Sequence, residues 1–306
     1  MQTILGSTGA IGTSLANELT NFTDDIRLVS RNPKLINPGD ELISANLLSA
    51  EETLHAIDGS EIVYLVVGLD YNSKTWQEQW PVIMENVIVA CTTHKAKLVF
   101  FDNIYMYDGS NLNLITESLP INPPSKKGAV RAEILSMLWD AHKRGDIQAV
   151  VARAADFYGP DMQKPLSFLI EGVVKPLKKG NTANWLANDS FKHSFTYIPD
   201  AAKATAVLGN TPDSYGRAWH LPTAPNPFTG KEWVEHIAKE LKVKPKYRVA
   251  TRNMIRFLGL FMPVMKESVE MLYQYEQDYV FNSDDFEKTF GLKPTPYEVG
   301  IKEILK

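Results

Sequence analysis

Short apolar runs alternate with stretches of helical character through the first half of the chain, and no other feature constrains its fold as strongly. The runs are TIL, IRLVS, EIVYLVV, AKLVFF and IQAVVARA. Between most of them lie GTSLANELTNF, AEETLHAIDG, WPVIMENVIVACTTH and KGAVRAEILSMLWDAHKRG. Continuous apolar strands joined by helices predict a parallel sheet covered on both faces, an α/β protein. Gly145, just past the last of these helices, predicts a C-cap. After Tyr158 the alternation weakens into the turn-rich stretch GPDMQKPLSFLIEGVVKPLKKGNTANWLAND, and AWHLPTA then reads as one more sheet strand. GKEWVEHIAKELK and a Met- and aromatic-rich helical tract predict a smaller C-terminal lobe, with the ligand in the cleft between the lobes.

Three glycines stand at the first strand-to-helix corner, in MQTILGSTGAIG. Gly6 permits a tight turn, Gly9 lets the backbone approach a pyrophosphate, and Gly12 lets the helix pack closely. The exposed N–H groups of Ser7, Thr8, Ala10 and Ile11, with the helix dipole, then suit an anion. The net charge of −4 gives no general attraction to nucleic acid or an anionic membrane, so phosphate groups are bound locally. Arg31 in LVSRNPK lies about twenty residues beyond the glycines, where an acidic residue would accept both ribose hydroxyls. A guanidinium there suits a 2′-phosphate, which predicts NADP in preference to NAD.

The GxxGxxG spacing resembles the short-chain dehydrogenase/reductase superfamily, and nearly the whole chain resembles its extended branch, the NAD-dependent epimerase/dehydratase family. LHAIDGSEIVYLVVG is similar to the family's third helix and fourth strand, and Asn86 sits in the following helix as a family asparagine does. RAADFYGP, FTYIPDAAKA and GLKPTPYEVGIKEI resemble later family blocks. The resemblance implies a Rossmann doubly wound sheet over residues 1–159 with 188–222, and a C-terminal substrate-binding lobe over 160–187 with 223–306. It adds Val67, Gly68 and Asp102 to the cofactor site formed by Gly6, Ser7, Thr8, Gly9, Ala10, Ile11, Gly12 and Arg31.

The chain departs from the family at its chemistry. The family's proton donor is the Tyr of YxxxK, but SKKGAVRAEIL, in the register set by Glu133, places Ser125 at the Tyr position and Ala129 at the Lys position. Lys126 and Lys127 stand nearby but do not simply replace that Lys, because a shift of one or two residues turns a side chain by about 100° or 200° around the helix. In FFDNIYMYDG, Asn103 falls on the position of the carbonyl-polarising Ser or Thr, and Tyr107 on the tyrosine of the family's VYG. Hydride transfer to a carbonyl leaves an alkoxide in need of a proton. The expectation is Tyr105 as donor, Asn103 orienting the substrate oxygen through its amide, and Tyr107 as the substitute donor. In RAADFYG, Asp156 replaces a family Asn that binds a nucleotide diphosphate, and His193 stands where an Arg is expected by analogy. These two point to a smaller or less charged substrate, and Trp185, Phe191 and the segment around Phe261 are candidates to line an apolar pocket.

Two functions remain open at this level: an NAD(P)-dependent oxidoreductase or epimerase/dehydratase-like enzyme on a small carbonyl, hydroxyl or sugar-like substrate, and an NADP(H)-binding redox sensor without turnover. The six scattered histidines show no metal-ligand spacing. Cys91, the single cysteine, lies in an apolar run and reads as a buried structural thiol. The first strand starts at Met1, which predicts no signal peptide, and MIRFLGLFMPVM is too short to span a bilayer and contains Arg256 and Pro263. A cytoplasmic protein without nucleic-acid or membrane partners is expected. In PVIMENVIVACTT and GAVRAEILSMLW, apolar residues extend around more than one face, which predicts a homodimer through these helices.

Overall fold

The computed structural model describes residues 1–160 and 167–306. Residues 161–166, in the turn-rich stretch after Tyr158, lie outside the described residues. The strands in chain order are β1 (Gln2–Leu5), β2 (Ile26–Ser30), β3 (Glu41–Ser44), β4 (Ile62–Leu65), β5 (Lys97–Asp102), β6 (Ala149–Arg153), β7 (Asp156–Tyr158), β8 (Ala183–Leu186), β9 (Phe195–Tyr197), β10 (Ala218–His220) and β11 (Tyr247–Ala250). The α-helices are α1 (Ala10–Leu19), α2 (Ala50–Ile57), α3 (Ser73–His94), α4 (Lys126–Arg144), α5 (Lys175–Lys178), α6 (Ile198–Asn210), α7 (Gly230–Glu240), α8 (Arg252–Leu258), α9 (Pro263–Ser268), α10 (Asp284–Phe290) and α11 (Tyr297–Leu305).

The first compact unit comprises residues 1–106, 127–154 and 201–221. It contains one seven-stranded sheet in the order β10-β6-β5-β4-β1-β2-β3, and every neighbouring pair is parallel. Every residue of β1, β4 and β6 is buried, which is why these strands are predominantly apolar, with Gln2, Thr3 and Arg153 as buried polar exceptions. The exposed edge strand β3 carries no such run and has no sequence signature. The strand order reverses direction between β1 and β4, and the crevice at the carboxyl ends of these neighbours is the place where open α/β sheets take ligands.

The helices follow the sequence signals with one extension. Helix α3 begins at Ser73, seven residues ahead of the expected start at Trp80, and runs through Pro81. Asn72 caps it by accepting the Thr75 amide (3.0 Å). Burial of Trp76 and Trp80, whose rings meet edge to face, offsets the backbone hydrogen bond that proline cannot donate. Helix α4 ends as expected at Gly145, with φ of +81°. Cys91 is fully buried, and that burial pushes its thiol pKa up, as suits a structural residue. Among the described residues, no helix is long and apolar enough to cross a membrane.

The second unit comprises residues 107–126, 155–200 and 222–306. It contains two parallel strand pairs, β7 with β9 and β8 with β11. Its core is aromatic: Tyr158, Trp185, Phe195 and Trp233 are buried together with Leu169, Val173 and Ile237. Helix α7 covers part of this core, and its first turn is closed by a reciprocal capping box between Thr229 and Glu232.

Candidate functional site

The glycine corner sits at the carboxyl end of β1, and its three glycines answer to different constraints. Gly6 has φ of +100°, and a Cβ there would lie 2.9 Å from the backbone of Val67. A Cβ on Gly12 would lie 2.4 Å from the Gly6 carbonyl oxygen and 2.8 Å from Cα of Ser7, so the helix passes directly over the turn. Gly9 is different. It caps α1 with an extended backbone at φ −78°, and a Cβ there would meet only the Gly6 oxygen at an ordinary 3.4 Å. Gly68, three residues past β4, has no neighbour within 4 Å of a Cβ and no positive φ. Neither backbone strain nor packing within the protein accounts for the missing side chains at Gly9 and Gly68. Both lie just beyond the adjacent strands β1 and β4, at the switch point of the sheet.

The turn itself is rigid. The Gly6 and Ser7 amides donate to the Val29 carbonyl (2.9 and 3.2 Å), and the Gly9 amide donates to that of Gly6 (3.1 Å). Ser7 is buried and donates its hydroxyl to Val29, whereas Thr8 is exposed. The amides of Ala10, Ile11 and Gly12 open α1, ahead of any helical i−4 carbonyl, and no acidic side chain stands in this first turn. Arg31 follows β2 directly, is exposed, and forms no ion pair among the described residues. Val67 is half-buried and Gly68 exposed. Asn86 donates to the Leu47 carbonyl (2.9 Å), which ties α3 to the chain ahead of α2.

At the end of β5, the Asp102 carboxylate is held by two arginines. Its side chain is fully buried, and both oxygens accept hydrogen bonds from guanidinium groups. Arg131 Nε and Nη2 reach Oδ1 at 2.8 and 2.6 Å, and Arg153 Nη2 reaches Oδ2 at 3.2 Å. The Arg131 guanidinium also packs 4.6 Å from the Trp80 ring and 4.8 Å from that of Phe100. This cluster fastens β5, β6 and α4 beneath the residues that follow. Asn103 is half-buried and its Oδ1 accepts the Tyr105 amide (2.9 Å), leaving the Asn103 NH₂ group to donate elsewhere. The half-buried Tyr105 ring stacks on Trp76 with an interplanar angle of 19°.

Tyr107 and Ser125 belong to the second unit and are buried at 1% and 6% exposure, which closes them to solvent. Ala129 is exposed on α4. Lys127 is wholly buried, with Nζ donating to Ser73 Oγ (3.2 Å) and lying 4.4 Å from the Tyr71 ring centre. Only the packed structure reveals where its ammonium goes.

The second unit brings Asp156 and His193 together across the β7–β9 pairing. His193 Nε2–H donates to Asp156 Oδ2 at 2.9 Å, and the Tyr275 hydroxyl donates to the same oxygen at 3.1 Å. The imidazole is sandwiched between Tyr275 and Tyr279, with ring centres 4.3 and 4.4 Å away, and its Nδ1 is buried without a partner. The carboxylate oxygen accepts, so Nε2 carries a proton in this contact. Asp156 Oδ1 accepts no hydrogen bond among the described residues, and the side chain is 22% exposed. The result is a carboxylate oriented from one side and open on the other. Tyr275 lies 119 residues away and had no local signal that could associate it with Asp156. Trp185 is a core residue, and Phe261, expected to line a pocket, is 73% exposed.

Residues 3–220 match the model of the NAD dependent epimerase/dehydratase family. The chain belongs to this family. Solved structures agree with the assignment at the level of fold. UDP-glucose 4-epimerase of Thermus thermophilus, in complex with NAD, superposes with a TM-score of 0.79 at 16% identity, covering 100% of this chain and 98% of that one. UDP-N-acetylglucosamine 4-epimerase of Bacillus cereus gives 0.77 at 14% identity, covering 99% and 94%. A dTDP-glucose 4,6-dehydratase of Streptomyces venezuelae with NAD bound gives 0.78 at 14% identity, covering 100% and 95%. No curated protein matches the chain at the level of sequence. Within this epimerase/dehydratase family, the chain carries the glycine corner at the end of β1 and the parallel sheet described above.

Proposed function

We propose that this family member is an NAD(P)-dependent oxidoreductase or epimerase/dehydratase acting on a sugar-like or other small hydroxyl- or carbonyl-bearing substrate. The observation that carries the reading is the pair Gly9 and Gly68, which leave the sheet's switch point open where no internal constraint demands it. The turn from Gly6 through Gly12, with the amides opening α1, fits a dinucleotide pyrophosphate. When bound, the nicotinamide supplies or accepts the hydride. The chain's own groups then have to manage the substrate oxygen. Tyr105 donates its phenolic proton, and Asn103 hydrogen-bonds the same oxygen through Nδ2–H. Asp102, clamped by two arginines, holds the strand end from which both residues project. Within the second unit, Asp156 offers Oδ1 to a hydroxyl group, a contact that favours a neutral polyol and disfavours a phosphate.

Arg31 supports NADP over NAD, because an unpaired guanidinium after β2 suits a 2′-phosphate. A charge-assisted contact changes affinity roughly ten- to a hundredfold. Titration of the wild type with NADPH and NADH, and of Arg31→Asp, tests it; equal dissociation constants in the wild type refute it. With a turned-over substrate in hand, Tyr105→Phe lowers kcat by about 10²–10⁴ while NADPH affinity holds. The loss of the usual Tyr and Lys favours one second reading, a cofactor-binding redox sensor. Tight NADPH binding with no turnover across a broad panel of sugars and carbonyl compounds selects it. In assembly, the exposed Val82 and Val89, seven residues apart on α3, support a homodimer through this helix, which light scattering at micromolar concentration checks. A cytoplasmic location accords with the single, buried Cys91.

A further inference from the structure

Helices α8 and α9 present an apolar surface that the fold does not use. Of the nineteen exposed large hydrophobic residues among the described residues, seven fall within residues 254–264: Met254, Phe257, Leu258, Leu260, Phe261, Met262 and Val264. Met254, Phe257, Leu258 and Phe261 recur at the i, i+3, i+4, i+7 spacing that ordinarily marks a helix's buried face, yet here that face is exposed. Only Ile255 of α8 is buried. Leu260 and Phe261, at the turn between the helices, are 76% and 73% exposed. A patch of this concentration on a protein surface marks an interaction site.

The charge around it specifies the partner. From Leu241 to Lys266 the chain holds no Asp or Glu, but it holds Lys242, Lys244, Lys246, Arg248, Arg252, Arg256 and Lys266, within a protein whose net charge is −4. Arg252 pairs with Glu276 and Arg248 donates to Asn184. The other five form no ion pair among the described residues. An outward apolar stripe flanked by uncompensated cations is the composition of a helix lying in the interface of an anionic bilayer.

We propose that α8 and α9 dock this protein onto an anionic lipid surface, with Phe257, Leu260 and Phe261 inserted below the headgroups and the flanking Lys and Arg contacting them. The inference stands apart from the catalytic reading and departs from the sequence expectation of no membrane partner. It requires no spanning helix.

The test is co-sedimentation of the full chain with vesicles of phosphatidylcholine alone and of phosphatidylcholine mixed with phosphatidylglycerol. The expected result is retention on the mixed vesicles, little on the neutral ones, and release as salt is raised. Phe257→Ser/Leu260→Ser/Phe261→Ser should weaken binding at least about tenfold, since each buried large apolar side chain contributes that much or more to partitioning. Arg256→Glu/Lys266→Glu should weaken it with the apolar stripe intact. Both variants should melt with the wild type, because none of these side chains is in the core. Absence of binding to either vesicle, equal binding to both, or full binding by the triple variant overturns the proposal. So does a wild-type dimer that the triple variant converts to monomer without any vesicle binding, which would make the surface an interface between copies.

Discussion

Substituting Gly9 and Gly12 separately divides what the glycine corner does for the fold from what it does for a ligand. An alanine at position 12 would place its Cβ 2.4 Å from the Gly6 oxygen and 2.8 Å from Ser7 Cα. An ordinary contact is about 3.5–4.0 Å, and the opposing atoms are backbone held by the hydrogen bonds to Val29. Helix and turn must separate by roughly 1 Å, an overpacking that costs about 1–3 kcal/mol. At position 9 the Cβ meets only one atom, at 3.4 Å, with φ of −78°. The lower entropy of the unfolded chain contributes about 0.4–1 kcal/mol of stability. Alanine's poorer capping costs about as much, so the net change stays within about 1 kcal/mol. Its methyl nevertheless enters the space left open above the turn. Losing one amide–phosphate hydrogen bond there weakens binding roughly ten- to a hundredfold. Urea unfolding without cofactor and fluorescence titration with NADPH measure the two effects. Gly12→Ala should be the less stable protein, and Gly9→Ala the poorer binder at near wild-type stability. Wild-type NADPH affinity in Gly9→Ala would refute the assignment of this space to a phosphate, and wild-type stability in Gly12→Ala would refute the packing argument.

The buried charge cluster predicts an order of stabilities. Asp102→Asn leaves two buried guanidinium groups without their shared anion and should cost about 3–5 kcal/mol in denaturant unfolding, whereas Arg131→Met leaves the neutral Asp102–Arg153 pair and should cost clearly less. For α7, Thr229→Ala should cost about 1 kcal/mol at neutral pH through loss of the N-cap. Hydrogen bonds from the Thr229 amide and hydroxyl hold the Glu232 carboxyl below its ordinary range. That contribution is complete above the unfolded carboxyl value of about 4.3 and disappears as pH falls through the lower folded value, so the Thr229→Ala penalty measured by unfolding should shrink in acid.

The amino-acid sequence by itself determined the parallel sheet, because strands buried on both faces must be continuously apolar, and it determined the glycine corner, because tight turns and close approach admit little else. It located Arg31 directly after β2 and Gly145 at a helix end for equally local reasons. It did not show β3, whose exposed edge position requires no apolar run, or the early start of α3, which depends on two tryptophans finding a buried face. Tertiary structure alone decided the fates of the charged residues. Arg131 and Arg153 reach the Asp102 carboxylate from other elements, and Lys127, placed by sequence only near the family's Lys position, is buried with its ammonium on Ser73 once its helix is packed. Asp156 and His193 were read from the sequence as two separate substrate-site positions; contact across 37 positions, with Tyr275 joining from 119 away, makes them one group. Conversely, the Met- and Phe-rich stripe of α8 has the pattern of a buried helix face, and only the fold shows that its own core leaves it uncovered. Periodicity reports that a face must be covered, but it carries no information about what covers it.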